Sequence, residues 1–254
     1  MTDDALLAVL SEAAAGVRAA LDGLDDWGPA GTRPGQYHSD LVADRVAIDI
    51  LQGAGLGVLS EETGPHQTER DLVVVLDPVD GSTNASRGIP WFATSLCVVD
   101  GQGARMALVV NQATGERFEA VRGGGARRNG GPVGPTTCTR LGDAVLGLTG
   151  YPPFDLGWRQ MRSLGAAALD LCAVAAGHLD AYLDCSNHAH SPWDYLGGML
   201  VCQEAGASVA EASGRELVTL GWTDRRVPVA AATPELLAEA LAARQGFPMP
   251  ATVA

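Results

Sequence analysis

Apolar residues recur at three- and four-residue steps near the start of the chain, at Leu6, Leu10, Ala13, Val17, Leu21 and Leu24. That spacing gathers them on one face of a helix, with Thr2 placed to cap it ahead of two acids. Gly and Pro crowd residues 27–37, which predicts an irregular, mobile loop. A second helix is expected from Ser39 or Asp40 through Val46, Ile48 and Leu51 to the Gly-rich break at 53–57. The period then changes. Leu72-Val73-Val74-Val75-Leu76 is continuously apolar and runs into Asp77-Pro78-Val79-Asp80-Gly81-Ser82-Thr83-Asn84. This reads as a buried strand entering a turn that displays oxygen ligands, and Pro78 predicts that the strand stops at Asp77. Residues 94–99 and 105–110 flank Asp100-Gly101-Gln102-Gly103 as a strand pair, residues 116–121 continue the meander, and 123–135 predict turns with a short edge strand.

After about residue 140 strands and helices alternate: strand 144–149, helix 158–176, strand 181–184, helix 193–205, strands 207–210 and 227–231, then a helix opened by Thr233-Pro234-Glu235. The class is therefore α/β. An α+β half, with helices on an antiparallel sheet, is followed by an α/β half, and two sub-domains are expected, 1–140 and 141–254.

Composition narrows the chemistry. A net charge of −13 over 254 residues disfavours a nucleic-acid polymer or an anionic membrane as partner. All 17 basic residues are Arg; without Lys, Schiff-base chemistry and the Walker-type phosphate loop are excluded. Five cysteines without a C-x-x-C pair suit a reduced, cytoplasmic protein. The acidic N-terminus and the lack of any apolar run of about 18 residues predict neither a signal peptide nor a membrane span.

The bend after the central strand brings Asp77 and Asp80 to one side with the Val79 carbonyl between them. Such hard oxygens suit Mg²⁺, and the amides following Gly81 suit a phosphate. The EF-hand spacing D-x-[DN]-x-[DN]-G is absent. His188-Ala189-His190 lacks matching ligand spacing for a soft metal and reads as substrate contact or solvent-exposed loop.

Three segments together, Ser60-Glu61-Glu62, Leu76 to Asn84, and Trp193-Asp194-Tyr195-Leu196-Gly197-Gly198 leading to Glu204-Ala205-Gly206, resemble the signatures of the inositol monophosphatase family. The resemblance extends over nearly the whole chain. It implies a layered αβαβα sandwich of the inositol monophosphatase and fructose-1,6-bisphosphatase type, and a Mg²⁺-dependent, lithium-inhibited phosphomonoesterase that works as a homodimer. It implies that Glu61, Asp77 and the Val79 carbonyl bind one Mg²⁺ and that Asp77, Asp80 and Asp194 bind a second, with two or three ions in all. Carboxylates gathered in this way repel one another unless cations neutralise them. Glu61, Ser82 and Asp44 take catalytic roles, Ser82 orienting the attacking water and Asp44 bonding its hydroxyl or holding the third ion. The Gly81, Ser82 and Thr83 amides cradle phosphate. Asp80, Ala167, Asp184 and Asp194 meet the rest of the substrate. Inositol 1-phosphate is the default substrate; histidinol phosphate, fructose 1,6-bisphosphate, a nucleotide 3′-phosphate and other sugar phosphates are the alternatives. A non-catalytic metal- or ligand-binding relative is the alternative of another class. Inositol-directed members usually carry Glu where Asp184 stands, a few extra residues precede Trp193, and the first loop lacks a Lys that many members carry.

Overall fold

The computed structural model of the chain describes residues 1–32, 35–186 and 188–247. One sheet contains β1 (Gly57–Ser60), β2 (Gly64–His66), β3 (Val73–Asp80), β4 (Ala93–Asp100), β5 (Gly103–Asn111), β6 (Arg117–Val121), β7 (Gly125–Arg128) and β8 (Gly131–Pro132), in the order β2-β1-β3-β4-β5-β6-β7-β8. The other contains β9 (Val145–Gly150), β10 (Gln160–Arg162), β11 (Ala181–Cys185), β12 (Ser208–Glu211) and β13 (Pro228–Ala231), in the order β10-β9-β11-β13-β12. The helices are α1 (Asp3–Asp22), α2 (His38–Gly53), the short α3 (Ser82–Ser86), α4 (Ala167–Ala175), α5 (Pro192–Ala205) and α6 (Pro234–Gln245).

Apolar clusters on successive sheet faces order these elements into helix, sheet, helix, sheet, helix. Leu6, Leu10 and Val17 of α1 and Leu51 of α2 pack with Val74 and Leu76 of β3 on the first sheet's outer face. Val73 and Val75, pointing the other way, join Leu171 of α4, Leu196 and Val201 of α5, and Tyr182 and Ala230 of the second sheet. Leu236 and Ala240 of α6 cover Leu146, Leu183 and Val229 on the far side. The unbroken apolar run of β3 thus follows from burial on both faces. In α5, a Cβ at Gly197 would stand 2.7 Å from Ser95 Oγ and one at Gly198 2.6 Å from the Leu171 Cβ. The two glycines let this helix approach β4 and α4 at once. Among the described residues no helix is long and apolar enough to cross a membrane.

Four expectations are corrected. Pairing of β3 with β4 resumes beyond Pro78, at Asp80 with Ala93, through a register shift between Asp77 and Asp80; proline is tolerated in a bulge because no ladder donor is needed there. The first sheet is mixed, since β1 runs parallel to β3. Residues 160–162 form β10, paired with β9, so the helix predicted from 158 is confined to Ala167–Ala175; Gly165 at φ 90° separates the two. Residues 27–37, apart from 33 and 34, which lie outside the described residues, include an antiparallel bridge of Pro29 with Tyr37, with the Ala30 amide donating to the Gln36 carbonyl at 2.9 Å.

Candidate active site

The predicted acids lie where strands end and a helix begins. Glu61 follows β1, and its amide donates to the Leu76 carbonyl at 3.1 Å, which fixes it beside the last turn of β3. Asp77 is buried, and its Oδ1 accepts the Val79 amide at 3.0 Å across the bulge. Asp194 occupies the third position of α5 and closes a capping box with Ser191, accepting the Ser191 amide on Oδ2 at 2.8 Å. One oxygen each of Glu61, Asp77 and Asp194 lies within 4.8 Å of the others. Burial raises the Glu61 carboxyl well above the usual carboxylate range, reinforced by Asp194 and Glu62. Asp77 is raised by burial first and then by Glu61 and Asp80. This cluster is therefore held together by the fold against its own repulsion, the electrostatic condition that a multivalent cation relieves. An all-oxygen donor set in a rigid frame matches a hard ion such as Mg²⁺.

Asp80 stands next to this group with its oxygens already engaged. Oδ2 accepts the Ala168 amide at 2.7 Å and Oδ1 the Ala167 amide at 3.3 Å, so the carboxylate sits on the N-terminal turn of α4. Burial and then Asp194 push it up to about 8, against the Ala168 bond. Ala167, expected to meet substrate, has its amide bonded to Asp80. Val79 is buried in the bulge between the two aspartates.

Gly81 turns the chain at φ 86° into α3. A Cβ here would lie 3.0 Å from the Gly165 carbonyl oxygen and 3.1 Å from both the Ala166 Cβ and the Trp91 carbonyl oxygen. Ser82 is half-buried and Thr83 exposed. Thr83 Oγ1 lies 3.3 Å from the Tyr37 hydroxyl, so the bridged loop before α2 reaches the proposed phosphate turn. Asn84 Nδ2 donates to the carbonyls of Trp91 (2.7 Å) and Leu164 (2.8 Å), clamping the 163–166 segment to α3.

Asp44 is buried on α2, next to the turn after β1. Its oxygens accept from Ser60 and, at 2.9 Å, from Thr63, so it supports the turn that carries Glu61. The acid of α2 that acts electrostatically on both Glu61 and Asp77 is Asp40, one turn earlier, which also accepts the Tyr37 amide at 2.8 Å. Asp184, at the end of β11, is buried; its Oδ1 accepts the Ser186 amide at 2.8 Å and lies 3.9 Å from His190 Nε2, while its Oδ2 has no hydrogen-bond partner. His190 is only 8% exposed, which overturns a solvent-facing loop position. Its Nδ1 is 3.1 Å from Asp194 Oδ2 and its Nε2 is 2.7 Å from the Tyr182 hydroxyl. Sequence reasoning missed Asp40 and Tyr182. The capping spacing Tyr37-x-x-Asp40 marked the first, whereas nothing in the sequence marked the second.

Comparisons with known proteins bear on the family and the fold. The model of the inositol monophosphatase family matches residues 40–247. A fructose-1,6-bisphosphatase/inositol-1-monophosphatase of Thermococcus kodakarensis is 33% identical over 218 residues, covering 82% of each chain. The Nus factor SuhB of Escherichia coli is 32% identical over 193 residues, 69% of this chain and 71% of its own. Among solved structures, the MJ0109 gene product, an inositol monophosphatase–fructose 1,6-bisphosphatase, superposes with a TM-score of 0.82 at 26% identity, covering 96% of this chain and all (100%) of its own. On the extent of these matches and the shared layered architecture, the chain belongs to the inositol monophosphatase family, a family of phosphatases.

Proposed function

We propose that the chain is a Mg²⁺-dependent phosphatase of a small polyol phosphate monoester, with inositol 1-phosphate as first candidate and fructose 1,6-bisphosphate as second. The convergence of Glu61, Asp77 and Asp194 within 4.8 Å, with Asp80 alongside, carries the reading. Glu61, Asp77, Asp80, Asp194 and the Val79 carbonyl hold the ions. When bound, Mg²⁺ supplies the Lewis-acid chemistry of in-line phosphoryl displacement. Glu61 and the Ser82 hydroxyl orient the attacking water, with Asp40 rather than Asp44 as the supporting acid of α2. The Gly81, Ser82 and Thr83 amides receive the phosphate oxygens, and Asp184 takes substrate hydroxyls as an acceptor.

The fructose bisphosphate candidate is supported by the name of the Thermococcus relative and of the MJ0109 product. The name Nus factor of the SuhB relative supports a second reading, a non-catalytic metal- or ligand-binding role. A homodimer and a cytoplasmic setting are part of the proposal on the family resemblance. So is a division into two sub-domains near residue 140, which the connector between β8 and β9 supports.

Phosphate release from a panel of phosphomonoesters, measured with and without Mg²⁺, tests the reading. One metal-dependent, strongly preferred substrate is the expected result. No turnover of any ester at saturating Mg²⁺ would overturn it in favour of the binding role.

A further inference from the structure

We propose that His190 is a positioning residue for Asp194, itself held by Tyr182 and Thr149, so that a buried relay aims the Asp194 carboxylate at its cation. The inference rests on the metal reading of the preceding section and adds to it residues outside the acid cluster.

Both ring nitrogens of His190 are engaged. Nδ1 faces Asp194 Oδ2 at 3.1 Å, and because a carboxylate only accepts, Nδ1 is the donor. Nε2 meets the Tyr182 hydroxyl at 2.7 Å, and that hydroxyl meets Thr149 Oγ1 at 2.8 Å. With a neutral ring, Thr149 donates to Tyr182 and Tyr182 to Nε2; with a charged ring those two bonds reverse. The bond to Asp194 keeps its direction in both cases, so the relay does not depend on the charge of the ring.

The fold fixes this imidazole from the backbone as well. The His190 amide donates to the Arg226 carbonyl at 2.7 Å and the Arg226 amide to the His190 carbonyl at 2.8 Å. Ala189, immediately before, takes φ 59°, a conformation that a side-chain-bearing residue adopts only when its surroundings impose it. Tyr182 is fully buried on β11, paired with Gly147 of β9 and packed in the core that α4 and α5 share.

The effect on Asp194 follows from lone-pair counting. Oδ2 accepts from the Ser191 amide at 2.8 Å and from His190, which uses both of its in-plane positions. Oδ1 accepts no hydrogen bond among the described residues and is the oxygen left for an ion. Ser191 alone caps α5 but leaves the carboxylate free to turn about its own bond; the second donor removes that freedom. Partners that orient a ligand in this way typically change metal affinity about 10- to 100-fold when removed.

The test is calorimetric titration of Mg²⁺ into the full chain and into His190→Ala, His190→Asn and Tyr182→Phe. His190→Ala is expected to bind Mg²⁺ about tenfold or more weakly. His190→Asn, whose amide can donate from near the Nδ1 position, should retain most of the affinity, and Tyr182→Phe should fall between. The Mg²⁺ concentration for half-maximal phosphate release should move with these affinities, while KM for the ester at saturating Mg²⁺ stays constant. Wild-type affinity in His190→Ala, or equal losses in the Ala and Asn variants, overturns the positioning role. If His190→Ala does not fold, wild-type affinity in Tyr182→Phe overturns the relay. A wild-type chain that binds no divalent cation overturns the metal reading itself, an outcome visible before any variant is made.

Discussion

Asp80 Oδ2 accepts the Ala168 amide at 2.7 Å, a bond that joins the end of β3 to the first turn of α4, the helix lying between the sheets. With Oδ1 also receiving an amide, Asp80→Asn would turn a donor toward a donor on one side. The variant is expected to lose phosphate release by at least about a hundredfold and stability by about 1–3 kcal/mol. Steady-state assays and urea midpoints check the two effects separately.

Glu61 is held near Asp77 and Asp194 against repulsion. Glu61→Gln removes one of these charges, so in EDTA the variant should melt higher than the wild type. On adding Mg²⁺ the order should reverse, because the wild type gains binding energy that the variant lacks. Thermal melts in the two buffers provide the check; a variant that gains as much from Mg²⁺ as the wild type would contradict the assignment.

Gly81→Ala meets two obstacles, a left-handed backbone and oxygen or carbon atoms about 3 Å from the new Cβ. A loss of about 1–3 kcal/mol is expected from the backbone and the contacts together. Denaturant unfolding measures it.

Asp170 is buried on α4, with Trp91 Nε1 donating to Oδ1 at 2.8 Å and Oδ2 without a partner. Burial raises it to about 7, more than the Trp91 bond and His190 lower it. The folded chain thus retains a proton that the unfolded chain releases near pH about 4. The associated stability is full below about pH 4 and is lost as pH rises through about 7. Asp170→Asn should flatten the decline in melting temperature across that window; an unchanged slope would contradict the assignment.

The strand that ends in Asp77 and the bend that carries Asp80 were legible because β3 is buried on both faces and cannot tolerate a polar residue before its end. The helix expected over 193–205 lies within one residue of α5 at its start. The choice between Asp40 and Asp44 was not legible. The two stand four residues apart on one helix face, so spacing alone does not separate them. The place of His190 was equally hidden, because it depends on its bridge to Arg226, a long-range pairing with no local signal. The helix predicted from residue 158 failed because a three-residue edge strand has too short a period to register.

The acids of the candidate site are drawn from both sheets' neighbourhoods, with Glu61, Asp77 and Asp80 early in the chain and Asp184 and Asp194 late. During synthesis the early three emerge with no late partner to share an ion. The amides of α4 offset part of their mutual repulsion at Asp80, whereas Asp194 on α5 adds a further negative charge to the group. The full acidic group therefore exists only once α5 is in place, and a product ending before α5 would carry the acidic turn of β3 without Asp194.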